Sequence, residues 1–238
     1  MREDLIEVIG INEENCTNCH QCIAVCPVKF CSDGSGEVIK FNKNLCIGCG
    51  RCIDVCIKSH GGIIEKSARF AIDDSEEFEK NLHSKEIVAL VAPSAHGNFK
   101  LGKLIAALKK LGVKKVYDVS LGAEITVACF HEGIASGTLK TPVIATPCPA
   151  VVKFIELHHP NLIEYLAPIG SPVYNISVYV RSLYPDAQQV FISPCLAKRR
   201  EFQDNQVVNY NVTYQSLQKI LQRNSIDLNS PSSSESRS

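Results

Sequence analysis

The sequence predicts an α+β domain folded around metal, followed by an α/β domain on a mostly parallel sheet. Three observations predict it. Nine of the twelve cysteines precede residue 57. Eight of those nine fall in two runs that repeat at an offset of 30 residues. From Ile87 onward, short apolar runs alternate with stretches of helical spacing, the pattern of strands crossed by helices.

Composition sets the outer limits. The 238 residues are 45% hydrophobic, enough to bury a core in one large domain or two modest ones. Lys plus Arg and Asp plus Glu number 25 each, so no excess field exists to hold nucleic acid or an anionic membrane. Apolar runs such as residues 87–92 fall well short of the roughly 20 residues of a spanning helix, and Met1-Arg2-Glu3-Asp4 opens no signal peptide. The expectation is a cytoplasmic protein with neither nucleic acid nor membrane as partner. In a reducing compartment, clustered cysteines point to metal.

The first half is built on the repeat. Cys16-Thr-Asn-Cys19-His-Gln-Cys22-Ile-Ala-Val-Cys26-Pro27 is matched by Cys46-Ile-Gly-Cys49-Gly-Arg-Cys52-Ile-Asp-Val-Cys56-Ile57. Short apolar runs at residues 5–11, 38–41 and 63–64 flank the copies and read as small strands between single-turn helices. So small a repeat needs a metal to fold. Three thiolates two residues apart can wrap a loop around a bulky cluster, whereas zinc usually draws two separated pairs to one ion. Two [4Fe-4S] clusters fit the spacing best, with zinc or a disulfide framework as alternatives.

The two runs resemble those of the bacterial two-cluster ferredoxins, which makes residues 1–70 a ferredoxin-like domain. In that family the fourth cysteine of each run serves the other cluster. The resemblance therefore implies one cluster on Cys16, Cys19, Cys22 and Cys56, and a second on Cys46, Cys49, Cys52 and Cys26. Ile57 stands where that family often has Pro. Cys31 lies outside both runs and reads as a spare or packed thiol, and His20 and His60 read as surface residues.

Residues 71–86 are charged and read as a linker with some helical character. Strands are expected at 87–91, 113–119, 143–145 and 190–192, and helices at 99–111, 125–134, 151–157, 173–183 and 214–221. Cys129, inside a helical pattern, reads as core. The segment 229–238 is Ser-rich and reads as a disordered tail.

Ligands in parallel sheets bind beyond the carboxyl ends of the strands. Those ends carry Ala92-Pro93-Ser94, Ser120-Leu-Gly122-Ala-Glu124, Thr146-Pro147-Cys148-Pro149 and Ser193-Pro194-Cys195-Leu-Ala-Lys198. Two isolated cysteines thus occupy matching strand ends, and Pro149 suits a helix start whose dipole favours a thiolate at Cys148.

Together with the two-cluster segment ahead of them, these motifs resemble the [FeFe]-hydrogenase large subunit, in particular its divergent, sensory-type branch. The resemblance covers nearly the whole chain to Leu228. It implies that residues 87–228 are the N-terminal part of an H-cluster domain, with Cys148 and Cys195 as cubane ligands. It further implies that Lys198 faces a cyanide, that Glu201 is the acidic residue of the second motif, and that Pro93 and Ser94 line the two-iron centre. The departures are Pro147 in place of a proton-donating cysteine, Ser193 in place of Met, and the absence of a glutamate pair beyond Glu124. No counterpart of the third motif follows Cys195. Hydrogen turnover needs exchangeable groups leading to the metal, so this chain alone is expected to be inactive as a ferredoxin hydrogenase.

The expected function is iron-sulfur electron transfer in a hydrogen-sensing or hydrogen-metabolising family, with an incomplete H-cluster site. A redox protein is the expected partner, with H2 and protons as further ones. The alternative is a ferredoxin-type carrier whose α/β half docks partners without metal. A nucleotide-binding oxidoreductase is disfavoured because no G-x-G-x-x-G follows any strand.

Overall fold

The computed structural model describes residues 5–228, and the elements follow in the order β1 (Ile9–Ile11), α1 (Gln21–Ala24), β2 (Ser32–Asp33), β3 (Lys40–Phe41), α2 (Arg51–Ser59) and β4 (Arg69–Ala71). Then come α3 (Ser75–Asn81), β5 (Ile87–Val91), α4 (Ala95–Asn98), α5 (Leu101–Lys110), β6 (Lys115–Asp118), α6 (Ser120–Ala135) and α7 (Pro149–His158). The last are α8 (Pro172–Leu183), β7 (Gln188–Ser193), α9 (Lys198–Asn205), β8 (Tyr210–Thr213) and α10 (Tyr214–Arg223). Met1-Arg2-Glu3-Asp4 and the Ser-rich segment 229–238 lie outside the described residues.

These elements divide into two units, the first comprising residues 5–72, 148–166 and 195–201. Its two cysteine runs fold alike. Asn18 and Gly48 hold equivalent places in the repeat, as do His20 and Gly50, and all four have positive φ (50°, 72°, 59° and 80°). These left-handed residues turn each loop around its cysteines before α1 or α2 begins at the next residue. At Gly48 the need is double, because an added Cβ would also lie 3.2 Å from the Ala197 Cα. Antiparallel pairs β1–β4 and β2–β3 frame the loops, with Ile11 opposite Arg69.

The core of this unit explains why it is discontinuous in sequence. Val8, Ile9, Val28, Cys31 and Ile47 bury themselves with Ala150, Leu196 and Ala197. A 70-residue segment that gives eight cysteines to two runs has too little apolar surface of its own, and it draws on later segments. The sequence reading placed 148–166 and 195–201 with the α/β half; the packing gathers them with the cysteine loops.

The second unit comprises residues 73–147, 167–194 and 202–228. Its four strands are all parallel in the order β6-β5-β7-β8. Every residue of β5 is buried, with Ile87, Ala89 and Val91 facing one core and Val88 and Leu90 the other. The first core is closed by α3, α5 and α10, the second largely by α8 through Val173, Ile176 and Val180. Helices on both faces are what near-continuous apolar strands demand. Helix α6 lies against α8, and a Cβ on Gly122 would come within 2.0 Å of the Pro172 carbonyl oxygen.

Four expectations are corrected. Residues 71–86 are no linker: Ala71 pairs in β4, and Phe78 and Leu82 of the following segment are buried in the first core of the second unit. Val143–Ala145 forms no strand, since flanking Pro142 and Pro147 cannot donate to a ladder and only Ile144 makes a bridge, its carbonyl accepting from the Ala167 N–H. The fourth strand is β8, in a segment to which the sequence assigns no strand; the Asp74 and Asp73 carboxylates accept from the Asn211 and Thr213 N–H groups. Cys129 is exposed rather than core, because α6 turns Gly122, Thr126 and Gly133 inward and leaves larger Leu121, Val127 and Ile134 outward.

Candidate metal centre

Two cavities open within the first unit, and cysteines dominate the lining of both. The smaller is lined by Cys16, Cys19, Cys22 and Cys56, with His20, His60 and Arg69 beside them. The larger is lined by Cys26, Cys46, Cys49 and Cys52, with Cys22, Cys31, Arg51 and Arg69. The first cavity takes three cysteines from one run and the last of the other; the second takes the complementary four, with Cys22 and Cys31 beside them. The reason is local: α1 and α2 lie against each other, so Cys26, two residues beyond α1, and Cys56, inside α2, are both brought to the opposite loop.

Soft sulfur donors in this number suit iron-sulfur clusters, which take four thiolates each. Three of these thiols are held protonated by their surroundings. Burial pushes Cys52 up to about 12 and also raises Cys22 and Cys49; the Arg69 guanidinium opposes burial at Cys22 and Cys52. A bound metal removes such protons outright, so the donor set fits a metal-bound state.

Cys31 is packed, as the sequence suggested, but against the second cavity itself. It is 4% exposed, and its thiol lies in hydrogen-bonding contact with Cys26 and Cys46, which lowers both of these and raises Cys31. His20 is exposed. His60 is not a free surface residue: it is half-buried, with Nδ1 2.8 Å from the Cys56 carbonyl and 3.9 Å from the Cys56 sulfur.

Cys148 and Cys195 also belong to the first unit, against its core. Cys148 caps α7 with Pro149 at the first helical position, as the sequence suggested. Burial raises Cys195, the N–H of Lys198 opposes this, and Cys148 adds to the rise. Lys198 is buried and its ammonium is taken up by Glu201 one turn along α9. Arg200 is buried as well, and its guanidinium donates to the carbonyls of Cys46, Ile6 and Lys43.

Pro93 and Ser94 lie in the second unit, exposed beyond the carboxyl end of β5. Ser94 Oγ is 2.7 Å from the Tyr214 hydroxyl, and His96 Nε2 is 2.6 Å from Asp118 Oδ2 at the end of β6. Sequence reasoning missed Arg69 and Arg200. For Arg69 a signal existed in a lone cation inside a short strand directly after the second run; Arg200 stood hidden in Lys198-Arg199-Arg200, where a solvated basic face is the ordinary reading.

Comparison with known proteins fits this arrangement. Residues 15–60 match the 4Fe-4S dicluster domain, and residues 85–238 match the family described as iron only hydrogenase large subunit, C-terminal domain. The NADP-reducing hydrogenase subunit HndD of Solidesulfovibrio fructosivorans is 26% identical over 89% of this chain and 36% of that protein. Iron hydrogenase 1 of Clostridium pasteurianum is 25% identical over 51% of this chain and 25% of its own length. The cytosolic Fe-S cluster assembly factor NAR1 of Yarrowia lipolytica is 28% identical over 40% of this chain and 21% of its own. The chain thus spans about a third or less of these relatives. A solved [FeFe]-hydrogenase structure aligns with a TM-score of 0.57 at 19% identity, covering 66% of this chain and 49% of that one, a likeness of fold. With the hydrogenase match extending over more than half of its residues, this chain belongs to the iron only hydrogenase large subunit family and carries a 4Fe-4S dicluster domain ahead of that match.

Proposed function

We propose that this chain passes single electrons through two [4Fe-4S] clusters, one on Cys16, Cys19, Cys22 and Cys56 and the other on Cys46, Cys49, Cys52 and Cys26. The observation that carries the reading is the pair of cysteine-lined cavities, each drawing its fourth thiol from the opposite run. Cys22 lines both cavities, so the two clusters would lie close enough for an electron to pass directly between them. Bound clusters supply one-electron chemistry; the chain's own residues hold them, exclude water through Val8, Val28 and Ile47, and set their electrostatics. The redox partner is a protein donor or acceptor of single electrons.

Cys148 and Cys195 are half of a cubane site, consistent with the hydrogenase family but short of its four thiolates. Lys198 is already neutralised by Glu201, and Pro147 offers no proton beside Cys148. These features support a chain that does not turn over hydrogen by itself; the resemblance offers Pro93 and Ser94 as lining for a two-iron centre. One relative is named an Fe-S cluster assembly factor, which supports the view that this scaffold serves roles other than hydrogen turnover. Hydrogen metabolism is the role that the hydrogenase relatives suggest; hydrogen sensing and a cytoplasmic setting are parts of this proposal that rest on the sequence reading.

A stoichiometric reductive titration of the anaerobically reconstituted protein tests the reading. Uptake of about two electrons per chain, one per cubane, followed by rapid reoxidation with a one-electron viologen acceptor is the expected result. Failure to take up electrons, or hydrogen evolution from this chain alone, would contradict it.

A further inference from the structure

Arg69 is a buried cation that pairs with no carboxylate among the described residues. Its side chain reaches from β4, where Arg69 stands opposite Ile11, and it is 4% exposed. Nη2 donates to the Ile39 carbonyl at 2.7 Å and to the Cys22 sulfur at 3.9 Å. The guanidinium carbon sits 4.9 Å from the centroid of the Phe41 ring. Nη1 is buried with no hydrogen-bond partner. Among the described residues no carboxylate pairs with this side chain, although it lines both cysteine cavities.

A guanidinium stays protonated at any working pH, so it cannot escape burial by losing charge. Burying a cation with an idle N–H is costly unless an anion completes the site. A cubane core on four thiolates is such an anion in both oxidation states, and it gains one more negative charge on reduction. A fixed cation therefore favours the reduced form, as does a hydrogen bond to a cluster or ligand sulfur.

We propose that Arg69 is the shared counter-ion of the two clusters, a positioning residue whose guanidinium raises the reduction potential of both. The proposal rests on the two-cluster reading above. A merely structural arginine, held by the Ile39 carbonyl and the Phe41 ring, would affect folding and leave potentials alone.

The test is an EPR-monitored redox titration of reconstituted wild type, Arg69→Gln and Arg69→Lys. In Arg69→Gln both midpoints should move to more negative values, with at least a tenfold lower reduced-to-oxidised ratio at the wild-type midpoint, a shift of about 59 mV. Arg69→Lys, which keeps the charge, should move both less. Arg51→Gln, at the exposed rim of the larger cavity, should leave the smaller cavity's cluster unshifted. Unchanged midpoints in Arg69→Gln, or movement of one cluster alone, would overturn the proposal. Should Arg69→Gln fail to hold clusters, wild type grown with guanidinium-¹⁵N arginine decides. Among the described residues Arg69 is the only arginine lining the smaller cavity, so that cluster's pulsed EPR signal should carry a ¹⁵N coupling; its absence refutes the contact. Iron far below about eight per wild-type chain would instead sink the two-cluster reading itself.

Discussion

Arg200 donates a hydrogen bond to the carbonyl of Cys46, 154 residues earlier in the chain. The same guanidinium holds the Ile6 and Lys43 carbonyls, so one side chain from the segment after Cys195 fastens the loop that opens the second cysteine run. Burial depresses Arg200 only from a very high starting value, and the charge persists.

Arg200→Ala should therefore weaken the cluster domain from outside its own sequence. Losing charged hydrogen bonds to three carbonyls costs about 3 kcal/mol. The temperature at which iron-sulfur absorbance is lost should fall by roughly 6–12 °C, with Arg200→Lys intermediate because it lacks the fork. An unchanged temperature would mean that the 195–201 segment does not support the cysteine loops.

Cys56→Ser discriminates the two ways of sharing eight thiolates. Because Cys56 lines the cavity of Cys16, Cys19 and Cys22, the substitution should alter the EPR signal of that cluster and spare the other. Selective damage to the cluster of Cys46, Cys49 and Cys52 would show that each run serves its own cluster.

Phe78 is fully buried beside Tyr210, with ring centroids 5.9 Å apart, in a stretch whose charge reads as a linker. Phe78→Ala should destabilise the α/β unit by about 3–5 kcal/mol in urea unfolding followed by tyrosine fluorescence. A cost below roughly 1 kcal/mol would restore the linker reading.

The His96–Asp118 pair gives a pH dependence. Burial alone would raise Asp118, but His96 and the Ser120 hydroxyl and N–H outweigh it and hold the carboxyl below its usual value. A carboxyl depressed in the folded state adds stability that is present above the unfolded value of about 3.9 and is lost as pH falls through the lower folded value. NMR titration of the Asp118 carboxyl carbon should give a midpoint below that of an unfolded aspartate, rising in His96→Ala. A midpoint at or above about 3.9 in wild type would refute the pairing.

Most strands and helices were legible because their signals are local. The offset-30 repeat is visible in the letters alone, and five helices announced themselves by spacing. Other features depend on distant partners. Strand β8 exists because Asp73 and Asp74 accept from its outer edge, and no periodicity within Asn209–Thr213 reports that. Cys129 turned outward because α6 is apolar nearly all round, so no face could be singled out. Cys31 was visible as an extra cysteine, but its place against Cys26 and Cys46 follows from the turn at Phe30, whose φ is 60°, and from the closing of β2 on β3. The unbonded Nη1 of the buried Arg69 emerges only once both cavities are formed.

The central claim is two cubanes on eight cysteines, and iron with acid-labile sulfide per chain after anaerobic reconstitution tests it most directly. About eight irons and as many sulfides, with an EPR spectrum of two interacting cubanes on reduction, is the predicted result. Roughly twelve irons would mean that Cys148 and Cys195 also help to hold a cluster, and tightly bound zinc without sulfide would contradict the account.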